Sequence, residues 1–547
     1  MAGGEKKKTV SFTIDGKPFE AEAGRTVLEV ALKNRIQIPY FCYHPYLSVP
    51  GNCRQCQVKV GMPGRDGGPT RWMPKLMVSC NTQVAEGMEV DTRAPEVKKA
   101  QAANMEFLLI NHPLDCPICD QVGECWLQEH AFARGPGRTR FREEKVHLAK
   151  RVDVGPHVLL DRERCIQCTR CIRFCDEISR SSELALFSRS DRSEIGIFPG
   201  RPLANPYSGN VVDICPVGAL TLKEFRFQSR LWFLNTTSSV CPGCARGCSI
   251  KLWHRDGAVE RITPRENPEV NQTWICDHGR LICGDLAVGE RIREPRHTPA
   301  KNGGEGAVPL DWPRALEEAA ALLKQAHGRV GAVIRAWATL EEAYLACHVL
   351  QFLAGQVQVA VPQEMEGEDD DLLIRADRTP NRQGLLALLS GCTPGLVELS
   401  TLLGEAAGGR LQVLLVIGQA LMGAGAHEQQ VDQALAQGLD LILLADAESR
   451  TAKKARIVLP AGRFPEVEGT VVNFQGRVQR MKSAYSPPFL ARAGLRILSD
   501  LARLVGAPEL PQRPRDLFDE MARREAAFQG LTVEGLGDLG ALLPAEG

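Results

Sequence analysis

Cys165-Ile-Gln-Cys168-Thr-Arg-Cys171-Ile-Arg-Phe-Cys175, with Cys215-Pro216 further on, is the stretch that decides how this chain is read. Its C-x2-C-x2-C-x3-C spacing lets three thiolates wrap three corners of a [4Fe–4S] cube while a remote Cys-Pro supplies the fourth. In two-cluster ferredoxins the last cysteine of such a run serves the other cluster. With one remote Cys-Pro serving this run, Cys175 reads as spare. Zinc suits the spacing poorly.

Three further constellations flank the run. Cys42, Cys53, Cys56 and Cys80 are spaced C-x10-C-x2-C-x23-C, with Gly51 just ahead of the second thiol. Four thiolates suit zinc or a [2Fe–2S] cluster, and a glycine-bent loop can aim backbone N–H groups at metal-bound sulfur. The β-grasp-like pattern ahead of Cys42 favours the cluster, although the plant-type C-x4-C-x2-C spacing is not matched. His112, Cys116, Cys119 and Cys125 follow, in His-Pro-Leu-Asp-Cys-Pro-Ile-Cys-Asp-Gln-Val-Gly-Glu-Cys. One imidazole and three thiolates fit a cube or a zinc knuckle. Cys241, Cys244, Cys248 and Cys276, spaced C-x2-C-x3-C-x27-C, fit four corners of another cube. Cys283 competes with Cys276 for the last corner, and spacing prefers neither. Cys347 and Cys392 have no neighbours and read as small buried apolar residues.

The chain has 547 residues, enough for about three to five domains. Of its 19 cysteines, 17 lie before residue 284. A disulfide framework wants a short secreted chain and an even count, so clustered thiols in a reducing compartment read as metal ligands. Sixty-six basic residues balance sixty-six acidic ones, which removes the electrostatic case for nucleic acid or an anionic membrane surface. The longest apolar stretch, 411–426, is short and broken by Gln412, Gln419 and glycines, so no spanning helix is expected. The start, Met-Ala-Gly-Gly-Glu-Lys-Lys-Lys, lacks the apolar segment of a secretory signal, and a cytoplasmic location is expected.

The first segment reads as a small mixed α/β domain. Thr9–Ile14 alternates as a strand, Asp15-Gly16 signals a type I′ turn, and Phe19–Ala21 returns. Thr26 stands as the N-cap of a helix with apolar positions Val27, Val30 and Ala31. A second helix over Glu96–Ile110 leads into the His112 loop, and Gly135-Pro-Gly-Arg-Thr-Arg is linker-like. Beyond about residue 290, β-runs at 330–334, 357–361, 411–417, 439–444 and 456–459 alternate with helical patterns at 340–353 and 428–436. This alternation predicts a parallel α/β sheet of modest size. Residues 466–480 read as a hairpin, 495–505 and 515–528 as closing helices, and 368–371 as a solvated acidic loop.

The order of the four constellations resembles the large iron–sulfur subunit family of proton-pumping NADH-quinone oxidoreductase, respiratory complex I. The residues that carry the resemblance are Cys42, Gly51-Asn-Cys-Arg-Gln-Cys56, His112-Pro-Leu-Asp-Cys-Pro-Ile-Cys119, Cys165-Ile-Gln-Cys-Thr-Arg-Cys171 and Gly209-Asn-Val-Val-Asp-Ile-Cys-Pro-Val-Gly-Ala-Leu220. Cys241-Pro-Gly-Cys-Ala-Arg-Gly-Cys248 and Glu468-Gly-Thr-Val-Val-Asn-Phe-Gln-Gly-Arg477 complete them. The resemblance implies one [2Fe–2S] cluster on Cys42, Cys53, Cys56 and Cys80, and a [4Fe–4S] cluster on His112, Cys116, Cys119 and Cys125. It implies two further [4Fe–4S] clusters, on Cys165, Cys168, Cys171 and Cys215, and on Cys241, Cys244, Cys248 and Cys276. The last occurs only in some members, and it settles Cys276 over Cys283.

The implied fold is α/β and multidomain: a β-grasp [2Fe–2S] ferredoxin-like domain at 1–95, [4Fe–4S] domains at 96–135, 136–232 and 233–290, and a truncated molybdopterin-oxidoreductase-like α/β domain at 291–547. The implied function is electron transfer inside the complex, with no catalytic residue of its own and no molybdenum cofactor. Hydride acceptance needs a flavin and a dinucleotide site, and Gly423-Ala-Gly425 lacks the third glycine of the dinucleotide fingerprint. The implied partners are a flavin- and NADH-binding subunit and other peripheral-arm subunits. Membrane contact would come only through them, on the cytoplasmic side of the bacterial inner membrane. The rivals are an iron–sulfur subunit of an NAD-linked formate dehydrogenase or hydrogenase, and a zinc-stabilised scaffold.

Overall fold

The computed structural model describes residues 8–64, 68–188, 190–287, 290–299, 306–355, 357–392, 395–418, 421 and 427–544. Residues 1–7, Gly423-Ala-Gly425 and the side chain of Cys392 lie outside the described residues. The chain forms two compact units, Met1–Phe233 and Leu234–Gly547.

The first unit begins as the sequence predicts. Strands Thr9–Ile14 and Lys17–Glu22 pair antiparallel, and Asp15 (φ 53°) and Gly16 (φ 76°) make the I′ turn. Thr26 caps helix Val27–Lys33 through a full capping box with Glu29, and Val27, Leu28, Val30 and Ala31 are buried. Strand Glu89–Asp91 lies parallel to Thr9–Ile14, and Gln57–Met62 pairs antiparallel with it. This mixed sheet over one helix has the β-grasp plan. Its register sets the first site, because Gln57 faces Val78 and thereby puts Cys56 beside the Ser79–Asn81 turn that carries Cys80. The second helix runs Pro95–Leu109, with proline at its start. After the linker, strands Leu220–Leu222, Val158–Leu160 and Val152–Asp153 form an antiparallel sheet beside the Cys165–Cys175 segment.

The second unit opens with a three-stranded antiparallel sheet, Asn235–Val240, Ser249–Arg255 and Ala258–Pro264. The turn between its first two strands holds Cys241, Cys244 and Cys248. The larger sheet exceeds the modest one expected: it has eight strands, six of them parallel. In space the parallel strands run Gly395–Leu396, Gln358–Ala360, Val330–Ile334, Val413–Ile417, Asp440–Ala445, Ile457–Pro460, the doubly wound order 3-2-1-4-5-6. Alternate residues feed two cores, one with Ala332, Ile334, Leu415 and Leu444, the other with Val333, Leu414, Val416 and Leu443. Burial on both faces explains why these strands read as continuous apolar runs. The hairpin is Gly469–Val472 with Arg477–Met481, and the closing helices are Gly494–Val505 and Pro514–Arg524. In the acidic loop Asp369 pairs with Arg375 at 2.6 Å, so it is held rather than merely solvated.

Candidate metal centres

No thiol among the described residues is in a disulfide. In the first site the sulfurs come together in two pairs. The Cys42 thiol bonds to Cys53 sulfur, which lowers Cys53 to about 6 and raises Cys42. Cys80 likewise bonds to Cys56, lowering Cys56 and raising Cys80. Gly51 (φ 62°) and Arg54 (φ 52°) bend the loop, and the N–H groups of Asn52 and Cys53 donate to the Cys42 sulfur. That is the use of Gly51 the spacing suggested.

In the second site Cys116, Cys119 and Cys125 face one another electrostatically, and Cys116 is exposed. His112 is lowered to about 4 by burial and then by Arg164 and Lys145, so its ring stays neutral. Among the described residues its buried Nδ1 has no hydrogen-bond partner, the condition of a nitrogen built to bind a metal. The loop is clasped by Arg230, whose Nη1 and Nη2 donate to Cys119 O and Pro117 O, both at 2.6 Å.

In the third site a buried cavity is lined by Cys165, Cys168, Cys171 and Cys215, with Arg170 in its wall. Cys175 does not line it; its sulfur accepts the Leu184 N–H and bonds to the Ser181 side chain. Gln167 (φ 53°) and Thr169 (φ 59°) take left-handed backbone, which curls the C-x2-C-x2-C loop around the cavity. Backbone N–H groups of Val217, Ala219 and Leu220 converge on the Cys215 sulfur. Burial raises Cys165 to about 12 and Cys168 to about 11.

In the fourth site Cys241 and Cys248 both feel Cys244 and Cys276, Cys241 feels Cys283 as well, and burial leads the rise of Cys276 to about 11. Gly243 N–H donates to Cys241 Sγ at 3.4 Å and Gly279 N–H to Cys276 Sγ at 3.3 Å. A Cβ on Gly279 would stand 2.9 Å from Cys241 Sγ and 3.5 Å from Cys276 Sγ, so this glycine lies between the two sulfurs. Cys283 is raised to about 12 by burial and is opposed by Arg463.

The sites of the first unit are joined. Arg173 Nη2 donates to Cys42 O at 2.5 Å and Cys168 O at 3.4 Å, linking the first site to the third. Trp126 N–H donates to Pro216 O at 3.1 Å, and a Cβ on Gly218 would lie 2.3 Å from Cys119 Sγ, so the second and third sites touch. A surface groove of about 430 Å³ between the Cys53 loop and the Ile166–Thr169 loop is lined in part by Phe107 and Leu186. Sequence reasoning missed these arginine links, because a charged residue among cysteines reads as a surface residue.

Among the described residues no three His, Cys, Asp or Glu side chains close on a point that could hold a single metal ion.

The comparisons follow the same order along the chain. Family models match residues 7–95 (2Fe-2S iron-sulfur cluster binding domain), 101–140 (NADH-ubiquinone oxidoreductase-G iron-sulfur binding region) and 155–221 (NADH-quinone oxidoreductase subunit 3, ferredoxin-like domain). Two more match 234–284 (molybdopterin oxidoreductase Fe4S4 domain) and 391–504 (molybdopterin oxidoreductase). The resemblance read from the cysteine spacings stands. The G-type NADH-quinone oxidoreductase subunit of Streptomyces coelicolor is 40% identical over 338 residues, 61% of this chain and 38% of that one. Its namesake from Mycobacterium tuberculosis is 41% identical over 340 residues, 61% of this chain and 41% of its own length. The mitochondrial NADH dehydrogenase [ubiquinone] iron-sulfur protein 1 of Solanum tuberosum is 40% identical over 317 residues, 58% and 41%. The chain thus spans less than half the length of these relatives. A solved NAD+-reducing [NiFe]-hydrogenase matches 41% of this chain and 91% of its own, at 28% identity and a TM-score of 0.35. The chain is a multidomain α/β protein with 2Fe-2S and 4Fe-4S binding domains followed by a molybdopterin-oxidoreductase-type domain.

Proposed function

We propose that the chain is an electron-transfer subunit of a proton-translocating NADH-quinone oxidoreductase, relaying electrons from a flavin-bearing, NADH-oxidising partner toward partners that reduce quinone. The observation that carries this reading is the physical joining of the first three sites, through Arg173 between Cys42 and Cys168 and through Gly218 against Cys119. Iron–sulfur clusters held there would supply one-electron transfer, which needs little movement of the ligands. Cys42 with Cys53, and Cys56 with Cys80, would hold the two irons of one [2Fe–2S] cluster. His112, Cys116, Cys119 and Cys125 would hold one [4Fe–4S] cluster, Cys165, Cys168, Cys171 and Cys215 a second, and Cys241, Cys244, Cys248 and Cys276 a third. The backbone N–H groups aimed at Cys42, Cys215, Cys241 and Cys276 stabilise sulfur charge, and burial keeps water from most of the ligands. The domains follow at 1–95, 96–135, 136–232, 233–290 and 291–547.

The last of these has a structural and docking role without molybdenum. Its cavity at the carboxyl ends of the parallel strands is about 90 Å³ and is lined largely by apolar groups, among them Trp337, Ile417, Leu444, Phe464 and Met481. Sites for cofactor-sized ligands run from about 300 Å³ upward. No helix among the described residues is long and apolar enough to cross a membrane. Attachment to the cytoplasmic side of the bacterial inner membrane therefore falls, in this reading, to partner subunits.

The test uses the full chain with its clusters reconstituted anaerobically. NADH alone should leave it oxidised by electron paramagnetic resonance, and NADH with the flavin-bearing partner from the same host should reduce it. Reduction by NADH alone would overturn the proposal. So would one molybdenum or tungsten atom per chain together with formate-driven reduction.

A further inference from the structure

The side chain of Arg170 is 3% exposed and lies at the meeting point of three sites. Its Nη2 donates to Tyr43 O at 2.6 Å and its Nη1 to Ile214 O at 3.1 Å. Its guanidinium stacks over the Trp126 ring at 4.5 Å, with the Tyr40 ring at 5.9 Å. Tyr43 follows Cys42, Ile214 precedes Cys215, Trp126 follows Cys125, and Arg170 itself precedes Cys171. One side chain therefore touches the neighbour of a ligand in each of the first three sites. It also lines the cavity formed by Cys165, Cys168, Cys171 and Cys215.

A buried charge is costly unless an opposite charge faces it. No carboxylate pairs with Arg170 among the described residues, and a second cation, Arg173, stands by the same loop, donating to Cys168 O. The groups that can face it with negative charge once a metal group is held are the four sulfurs of the cavity it lines, Cys165, Cys168, Cys171 and Cys215. Neither backbone carbonyls nor aromatic faces neutralise a cation, so thiolates and the group they hold are its counter-charge. Adding an electron to that group adds one negative charge, which a fixed neighbouring cation favours.

We propose that Arg170 is a positioning and potential-setting residue: its fork fixes the backbone beside Cys42 and Cys215, and its charge raises the reduction potential of the third site above what neutral packing would give. This rests on the reading of that cavity as a [4Fe–4S] site. The first and second sites meet Arg170 only through a carbonyl and a ring, so they shift less.

The test is anaerobic redox titration of the reconstituted full chain, followed by paramagnetic resonance, for the wild type, Arg170→Gln and Arg170→Lys. Arg170→Gln should lower the potential of the third site by a factor of about ten in the electron equilibrium, about 59 mV for one electron. Arg170→Lys keeps the charge and should restore most of that loss. Unchanged potentials in an iron-replete Arg170→Gln overturn the inference. If Arg170→Gln does not retain the third cluster, Arg170→Lys decides: a third cluster near its wild-type potential supports the charge role, and its loss there too overturns it. Absence of iron from the third site in the wild type would instead refute the underlying functional reading.

Discussion

Replacing Gly218 by alanine puts a methyl carbon 2.3 Å from Cys119 Sγ and 3.2 Å from Gln121 Cβ, where ordinary contact is 3.4–4 Å. Something must move by about 1 Å, and overpacking of this kind costs about 1–3 kcal/mol. The two sides of the contact are not equally free. Gly218 lies in the turn whose Val217, Ala219 and Leu220 N–H groups converge on the buried Cys215 sulfur. Cys119 belongs to the loop whose Cys116 is exposed. The strain therefore falls on Cys119, so a substitution in the sequence motif of the third site should damage the second. The assay is iron content together with the reduced-state paramagnetic resonance of the reconstituted full chain. The expected result is loss or distortion of the second cluster's signal, with up to about four fewer iron atoms, and an intact third. A third cluster lost while the second persists, or both unchanged, would refute the reasoning.

Cys175→Ser should leave every cluster signal in place, at a stability cost of about 1–3 kcal/mol if the hydroxyl is left unpaired. Cys215→Ser should remove the third signal, and the reverse pattern would show that the cavity has been read wrongly. Burial raises the Glu341 carboxyl, whose oxygens accept from Thr470 N and Oγ1 at 2.9 and 3.0 Å, from 4.5 to about 7. The folded state then holds a proton that the unfolded state releases, so this group's contribution is full below about pH 4.5 and is lost as pH rises toward 7. The loss is worth about 3 kcal/mol. Urea unfolding of Glu341→Gln in the full chain should show a flatter fall in stability between pH 5 and 7 than the wild type, and an unchanged slope would count against it.

Local chemistry made much of this molecule legible before its fold was seen. Asp15-Gly16 demands left-handed backbone twice, and Thr26 with Glu29 is a self-contained cap, so neither needs distant residues to be read. The structure brings Cys165, Cys168, Cys171 and Cys215 around one cavity, as their spacing suggested, whereas preferring Cys276 to Cys283 took the family resemblance, because spacing prefers neither. The strand order 3-2-1-4-5-6 was not legible: periodicity marks Val330–Ile334 and Val413–Ile417 as buried strands but is silent on their pairing across the intervening segments. Gly395–Leu396 is too short to leave a pattern. The joins between sites depend on tertiary contacts, such as Arg170 with Tyr43 and Gly218 with Cys119, that no spacing encodes.

The most direct test is a metal count on anaerobically prepared, fully reconstituted chain, read together with paramagnetic resonance at graded reduction. The account predicts about 14 iron atoms per chain, no stoichiometric zinc, and signals that resolve into one [2Fe–2S] and three [4Fe–4S] clusters. Zinc in place of iron, or thiols that never take up iron although the fold is intact, would contradict it.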